Sequence, residues 1–217
     1  MSEAAREQIL AAIRAALGTT RISQDDTALD LAPSDLPTGV PELVELFCER
    51  VGDYQATVSR AEVEEVAGAV AGIAARHQAR RLVVPAGLPA GWRPAALELV
   101  EDHDELAARE LERFDGALTG AGLAIAETGT IVLDGGPDQG RRWLTLLPDL
   151  HICIVQATRV VADVPDAIEI LGELVRSQRR AVTFVSGPSA TADIELRRVH
   201  GVHGPRRLEV VVVTGGN

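Results

Sequence analysis

Residues 208–213 read Leu-Glu-Val-Val-Val-Val, and further apolar runs stand at Leu82–Val84, His151–Gln156 and Ala181–Val185. A strand with one wet face alternates apolar and polar side chains, whereas a strand buried on both faces has no need to. These runs predict strands inside a sheet covered on both sides, with the intervening helical segments as covers. The fold class expected is α/β: a three-layer sandwich on a mostly parallel sheet, with an N-terminal helix in addition. A chain of 217 residues, 46% hydrophobic, suffices for one such core.

Ile9, Ile13, Ala16 and Leu17 recur at helical spacing over Ser2–Leu17, and Gly18 stops that helix. Thr19–Gly39 is rich in Asp, Thr, Ser and Pro and has no period, as a linker does. Residues 1–40 are therefore expected to be a helix and linker, and residues 41–217 a single α/β domain. Within that domain Pro41 opens a helix carrying Leu43, Val44 and Phe47; Tyr54–Val58 alternates like a strand, and Ser59 caps a helix to His77. Leu97–Val100 predicts a short strand and Asp104–Phe114 a helix. Gly122–Ala126 and Thr130–Leu133 are β-type runs around a Thr-Gly turn. Trp143–Leu147 is strand-like, and Pro165 opens a helix through Ile168, Ile170, Leu171, Leu174 and Val175.

Composition removes whole classes of function. Lys+Arg 21 against Asp+Glu 32 gives 21 − 32 = −11, and every basic residue is Arg, so Schiff-base chemistry and a lysine-bearing P-loop have no residue to use. Aromatics at 3% and the acidic balance exclude the stacking platforms and basic stripe of a nucleic-acid partner. Cys48 and Cys153 are the two cysteines, whereas an iron-sulfur cluster takes four thiolates; no cofactor is expected in this chain. The most apolar helical stretch, Ala67–Ala75, is too short to cross a bilayer, so no membrane span is expected. Glu3 and Glu7 stand where a signal peptide carries positive charge, which points to the cytoplasm.

Turns at the carboxyl ends of strands in open α/β sheets collect helix N-termini and free amides, and ligands bind there. Gly187, Pro188, Ser189, Thr191, Asp193 and Glu195 follow the strand ending at Val185 and make one such candidate, the alternative being an ordinary capped turn. Glu127, Thr128, Gly129 and Thr130 lie between two apolar runs. Glu127 there is a candidate base or nucleophile, or it faces water in a strand-to-strand turn. His200 and His203 flank a Gly-Val pair; with Gly204 and Pro205 beyond and no Cys nearby, an anion-contacting or loop-ordering role for His203 outweighs a metal site. Arg141 and Arg142 offer forked donors for a carboxylate or phosphate, with a local salt bridge as the blander reading. Cys153, inside an apolar run, reads as core.

The segments GLAIAETGTIVL (Gly122–Leu133), LLPDLHICIV (Leu146–Val155), GPSATADIE (Gly187–Glu195) and GVHGPRRLEVVVV (Gly201–Val213) resemble, in order and spacing, the LUD domain family. The match is strongest in the C-terminal half. The resemblance implies a fold like that of ribose-5-phosphate isomerase and the CoA transferases. It implies a non-redox part in oxidising L-lactate to pyruvate, beside two iron-sulfur partners, lactate utilization proteins A and B. One branch of the family joins the domain to a cysteine-rich cluster region; this chain lacks that region and resembles the other branch. A small anionic ligand is expected at the loops that match the family motifs. Two other functions compete: a free-standing transferase or isomerase acting on a carboxylate, CoA ester or sugar-phosphate through Glu127, and a regulatory module docking through the N-terminal helix.

Overall fold

The branched apolar runs pair with one another. In the computed structural model, β1 (Thr57–Glu62), β2 (Arg81–Val84), β3 (Glu98–Glu101), β4 (Gly116–Gly120), β7 (Leu150–Gln156) and β12 (Arg207–Thr214) form one sheet. Its order is β1-β12-β7-β4-β2-β3, and every neighbouring pair is parallel. The register sets Thr119 beside Cys153 and Cys153 beside Val210 at the sheet centre. The structure describes residues 3–17, 36–178, 180–191, 199–200 and 204–215, in two units divided at residue 35. The first unit holds α1 (Glu3–Leu17), and everything that follows concerns the second.

Side chains alternate between the sheet faces, and each face finds a different cover. Leu150, Ile152 and Ile154 join Leu82, Val84, Val211 and Val213 against α3 (Val66–Arg76), where Val66, Val70 and Ile73 are buried. Cys153, Val155, Val210 and Val212 face the other way, onto Leu43, Val44, Phe47 and Val51 of α2 (Val40–Asp53). That layer also contains a four-stranded sheet, β8-β5-β6-β9, built from β5 (Leu123–Ile125), β6 (Thr130–Leu133), β8 (Val160–Val161) and β9 (Thr183–Val185). Its Ala124, Ile131 and Leu133 pack inward, while Ile125 and Val132 are covered by Ala167 and Leu171 of α5 (Val164–Gln178). Burying each such branched side chain contributes roughly 1.5–3 kcal/mol. Two short strands, β10 (Ala190–Thr191) and β11 (Val199–His200), pair antiparallel. The remaining helix is α4 (Ala108–Leu111).

Local signals yield to the sheet in four places. β1 continues past Ser59 to Glu62 because all six of its residues pair with β12, and α3 begins at Val66 after a single turn held by a Glu62/Glu65 capping box. The helix expected over Asp104–Phe114 shrinks to α4. Trp143–Leu147 is not a strand: Arg142–Thr145 form a 3-10 turn that buries Leu144 and leaves Trp143 exposed. β4, Gly-Ala-Leu-Thr-Gly, has little β propensity and becomes a strand through fit, since a Cβ on Gly116 would stand 2.9 Å from the Leu150 carbonyl oxygen.

The connections also locate a crevice. From β2 the chain runs outward to the edge strand β3, whereas from β4 the next strand of this sheet, β7, lies on the inner side. The chain leaves the carboxyl ends of these two neighbours in opposite directions, which is where open α/β sheets bind ligands.

Candidate functional site

The loop Asp134–Gly140, sequence DGGPDQG, leaves β6 and lies over the carboxyl ends of β2 and β4. The Gly120 N–H donates to the Asp138 carbonyl oxygen at 2.7 Å. Gly87, after β2, backs so closely onto the loop that a Cβ would come within 2.4 Å of the Pro137 carbonyl oxygen. The loop is knitted from inside. The Gln139 side-chain oxygen accepts from the N–H groups of Asp134 (2.7 Å) and Gly135 (3.0 Å), and its amide nitrogen donates to Asp134 Oδ1 at 2.6 Å. The same oxygen accepts from the Gly136 N–H at 3.0 Å. Gly135 and Gly140, at φ +71° and +67°, take the left-handed turns that other residues adopt at a cost.

Cavities open on both sides of this loop. One, of about 370 Å³, is lined by Trp92, Asp138, Gln156, Arg159 and Arg180; the other, of about 270 Å³, by Leu133, Arg142, Thr145, Arg180, Ala181 and Thr183. Asp134, Gln139 and Arg180 belong to both.

The arginines around these cavities differ in how far their charge is spent. Arg141 is committed: its guanidinium forks onto the buried Asp102 carboxylate, with Nε 2.8 Å from Oδ2, and also donates to the Leu106 carbonyl. Arg142 donates to Thr145 Oγ1, and Arg159 donates to the Gly122 carbonyl. Among the described residues, Arg142, Arg159 and Arg180 have no carboxylate at ion-pair distance. Partial burial lowers the pKa of Arg142, which nevertheless keeps an exposed face. Burial also raises the pKa of the Asp138 carboxyl, with the Asp134 charge adding to the rise and Arg159 opposing it. His151 is fully buried on β7 with Nε2 2.8 Å from Thr119 Oγ1. Burial, reinforced by the Arg142 charge, pushes its pKa down to about 4, so the imidazole is neutral at pH 7.

The residues singled out in the sequence gather at a second place. Thr128 Oγ1 donates to Thr130 Oγ1 at 2.8 Å, and Thr130 Oγ1 shares a 2.7 Å hydrogen bond with Ser186 Oγ. Gly129 (φ +59°) presses on the Arg50–Val51 backbone and Gly187 (φ +103°) on Tyr54, so both bends lean on α2 and the residue after it. The Ser189 N–H donates to the Pro205 carbonyl at 2.8 Å, tying in the bend after β11; Pro188 lies between these two ties. Glu127 is exposed, and its N–H donates to the Ala162 carbonyl. Thr191 pairs with Val199 in the β10–β11 ribbon, and Asp193, Glu195 and His203 lie outside the described residues.

The structure thus links the 127–130, 186–189 and 204–205 bends and leaves Arg141 apart, at the crevice. Sequence reasoning missed Arg180, Asp138 and Gln139, and passed over Arg142 beyond its pairing with Arg141. The available signal was the DGGPDQG run directly after a buried strand, a glycine-rich strand end that carries carboxylates. Among the described residues, no three or more His, Cys, Asp or Glu side chains are grouped to hold a metal, and no helix is long and apolar enough to cross a membrane.

The comparisons with known proteins agree with one another. The family model described as LUD domain matches residues 44–213. The chain is 43% identical over 209 residues to lactate utilization protein C of Deinococcus radiodurans, covering 96% of this chain and 95% of that one. It is 30% identical over 184 residues to lactate utilization protein C of Halalkalibacterium halodurans, covering 79% of each. A crystal structure of a DUF162 family protein from Deinococcus radiodurans superposes with a TM-score of 0.71 at 40% identity, covering 82% of this chain and 99% of that one. Motif order, sheet topology and relatives matched over nearly their whole length lead to one conclusion: the chain belongs to the LUD domain family.

Proposed function

We propose that this chain works in lactate utilization, as the cluster-free subunit of a cytoplasmic system that oxidises L-lactate to pyruvate. The observation that carries the reading is the 43% identity, over 96% of this chain and 95% of the relative, to a protein named lactate utilization protein C. The reaction removes two electrons and two protons from lactate. In this reading the electrons pass to iron-sulfur clusters of partner subunits, lactate utilization proteins A and B, since the two cysteines here cannot supply four thiolates. The part assigned to this chain is to bind a small anion and present it to those partners. The crevice over β2 and β4 supports that assignment, with Arg142, Arg159 and Arg180 having no carboxylate at ion-pair distance among the described residues. Deleting the gene is expected to abolish growth on L-lactate as sole carbon source and to spare growth on pyruvate. Unimpaired growth on both overturns the proposal.

A second reading makes Glu127 the nucleophile or base of a free-standing transferase or isomerase. In its favour, Glu127 is exposed on a turn whose backbone is tied by the Glu127 N–H to the Ala162 carbonyl and whose Thr128 and Thr130 hydroxyls bond to each other and to Ser186. Incubation of the purified protein with acyl-CoA, followed by mass spectrometry, tests for a Glu127 thioester. An unmodified Glu127 across a panel of acyl-CoA esters removes the transferase form, and no turnover with sugar-phosphates removes the isomerase form.

A further inference from the structure

We propose that the 270 Å³ cavity beside the DGGPDQG loop is a carboxylate-binding site for a short-chain 2-hydroxy or 2-oxo acid, with Arg142 and Arg180 as its anion anchors. The choice of acid rests on the lactate-utilization reading; the site itself rests on geometry.

Two arginines that line one small cavity repel each other, and an anion held between them relieves that repulsion. The third arginine of the cavity, Arg141, shows what satisfaction looks like here, since both arms of its fork are filled by Asp102. Among the described residues, Arg142 has the Thr145 hydroxyl as its side-chain partner, and Arg180 has no carboxylate at ion-pair distance.

The same walls select the kind of anion. A glycine-rich loop after a strand resembles a phosphate cradle, but a cradle needs free amides. Here the N–H groups of Asp134, Gly135 and Gly136 are already taken by the Gln139 and Asp134 side chains. Asp134 also lines the cavity, and its carboxylate disfavours a dianion more than a monoanion. Leu133 and Ala181 give an apolar wall suited to a methyl group, and Thr145 Oγ1, whose own proton goes to the Arg142 carbonyl at 3.2 Å, keeps a lone pair near Arg142 that can accept from a 2-hydroxyl. Guanidinium forks, one polar wall and one apolar wall describe a small monocarboxylate with a polar 2-substituent better than a phosphate ester.

Isothermal titration of the full-length protein with pyruvate, L-lactate, propionate and inorganic phosphate provides the test. Saturable binding of pyruvate or L-lactate is expected at concentrations up to about 10 mM, tighter than propionate or phosphate. Arg142→Gln and Arg180→Gln are each expected to weaken it at least about tenfold, while Arg109→Gln on the exposed face of α4 leaves it unchanged. Melting curves confirm that the variants fold. Arg180→Lys, which keeps charge without the fork, serves as a second variant and is expected to bind between wild type and Arg180→Gln. Absence of saturable binding, tighter binding of phosphate, or binding indifferent to both Gln variants overturns the site. Binding as expected with growth on lactate intact in the deletion strain would leave the site standing and remove the functional reading. Lost growth without binding does the reverse.

Discussion

The two edges of the parallel sheet are finished differently. At the amino edge, Glu209 of β12 is buried yet accepts from Arg76 at 3.0 Å and contacts His77 at 2.6 Å, both at the end of α3. There too Arg81 pairs with Glu98 at the starts of β2 and β3, Arg206 pairs with Asp149, and the Asp115 carboxylate accepts from the backbone N–H groups of Arg80 and Arg81. At the carboxyl edge Arg93 and Arg141 find Glu101 and Asp102, but Arg142, Arg159 and Arg180 line cavities without such partners among the described residues. The pairs at the amino edge steady the fold, whereas at the other edge three arginines without carboxylate partners among the described residues line cavities open to a ligand. Substitutions at the amino edge should therefore change stability and leave anion binding alone, and those at the carboxyl edge should couple the two.

The largest effect is expected beneath the crevice. Gln139→Leu keeps the volume but strands the buried N–H of Asp134, frees the part-buried N–H of Gly135 and takes a donor from the Asp134 carboxylate, and should lower the unfolding free energy by about 4 kcal/mol. It should also weaken anion binding as the loop loosens; denaturant titration and calorimetry read the two.

Next is a pH effect from His151. The unfolded imidazole takes a proton as pH falls through its ordinary value of 6.5, whereas the native one stays neutral to about 4. Its contribution is complete above pH 6.5, is lost as pH falls from 6.5 to 4, and is flat below, a total of about 3 kcal/mol. His151→Gln should remove that component of the acid destabilisation, as seen in denaturant midpoints across the window.

Smaller again is Glu209→Ala at the amino edge. It removes a buried acceptor whose partners can return to water, at a cost of about 2 kcal/mol, and titration with pyruvate should be unaltered. Weakened binding in this variant breaks the distinction between the edges.

The smallest change is at Asp138, whose carboxyl is raised chiefly by burial and so is costly to ionise. Asp138→Asn is expected to raise the melting temperature slightly at pH 7, with the gain shrinking as pH falls and the wild-type carboxyl takes its proton.

The sheet was legible because burial on two faces leaves its mark in sequence: 208–213, 151–156 and 82–84 could hardly be anything else. β4 was not, because its glycines are chosen for the neighbour they admit, Leu150, and that neighbour is known only after folding. The ETGT and GPS bends stood out because glycine beside hydroxyls is a strong local pattern. The structure shows much of that pattern at work in joints, with Gly129 against Arg50 and Thr130 bonded to Ser186. Arg141 and its neighbour Arg142 look equivalent in sequence, and only the placement of Asp102, 39 positions away, separates the spent charge from the free one. Arg180 carries no local signal at all; it reaches the crevice because β9 pairs with β6.

Crystals of the full-length protein grown with pyruvate test the central claim most directly. The carboxylate is predicted between the Arg142 and Arg180 guanidinium groups, beside the DGGPDQG loop. Pyruvate found instead at the Thr128, Thr130 and Ser186 hydroxyls, with the crevice holding only solvent, would contradict the account.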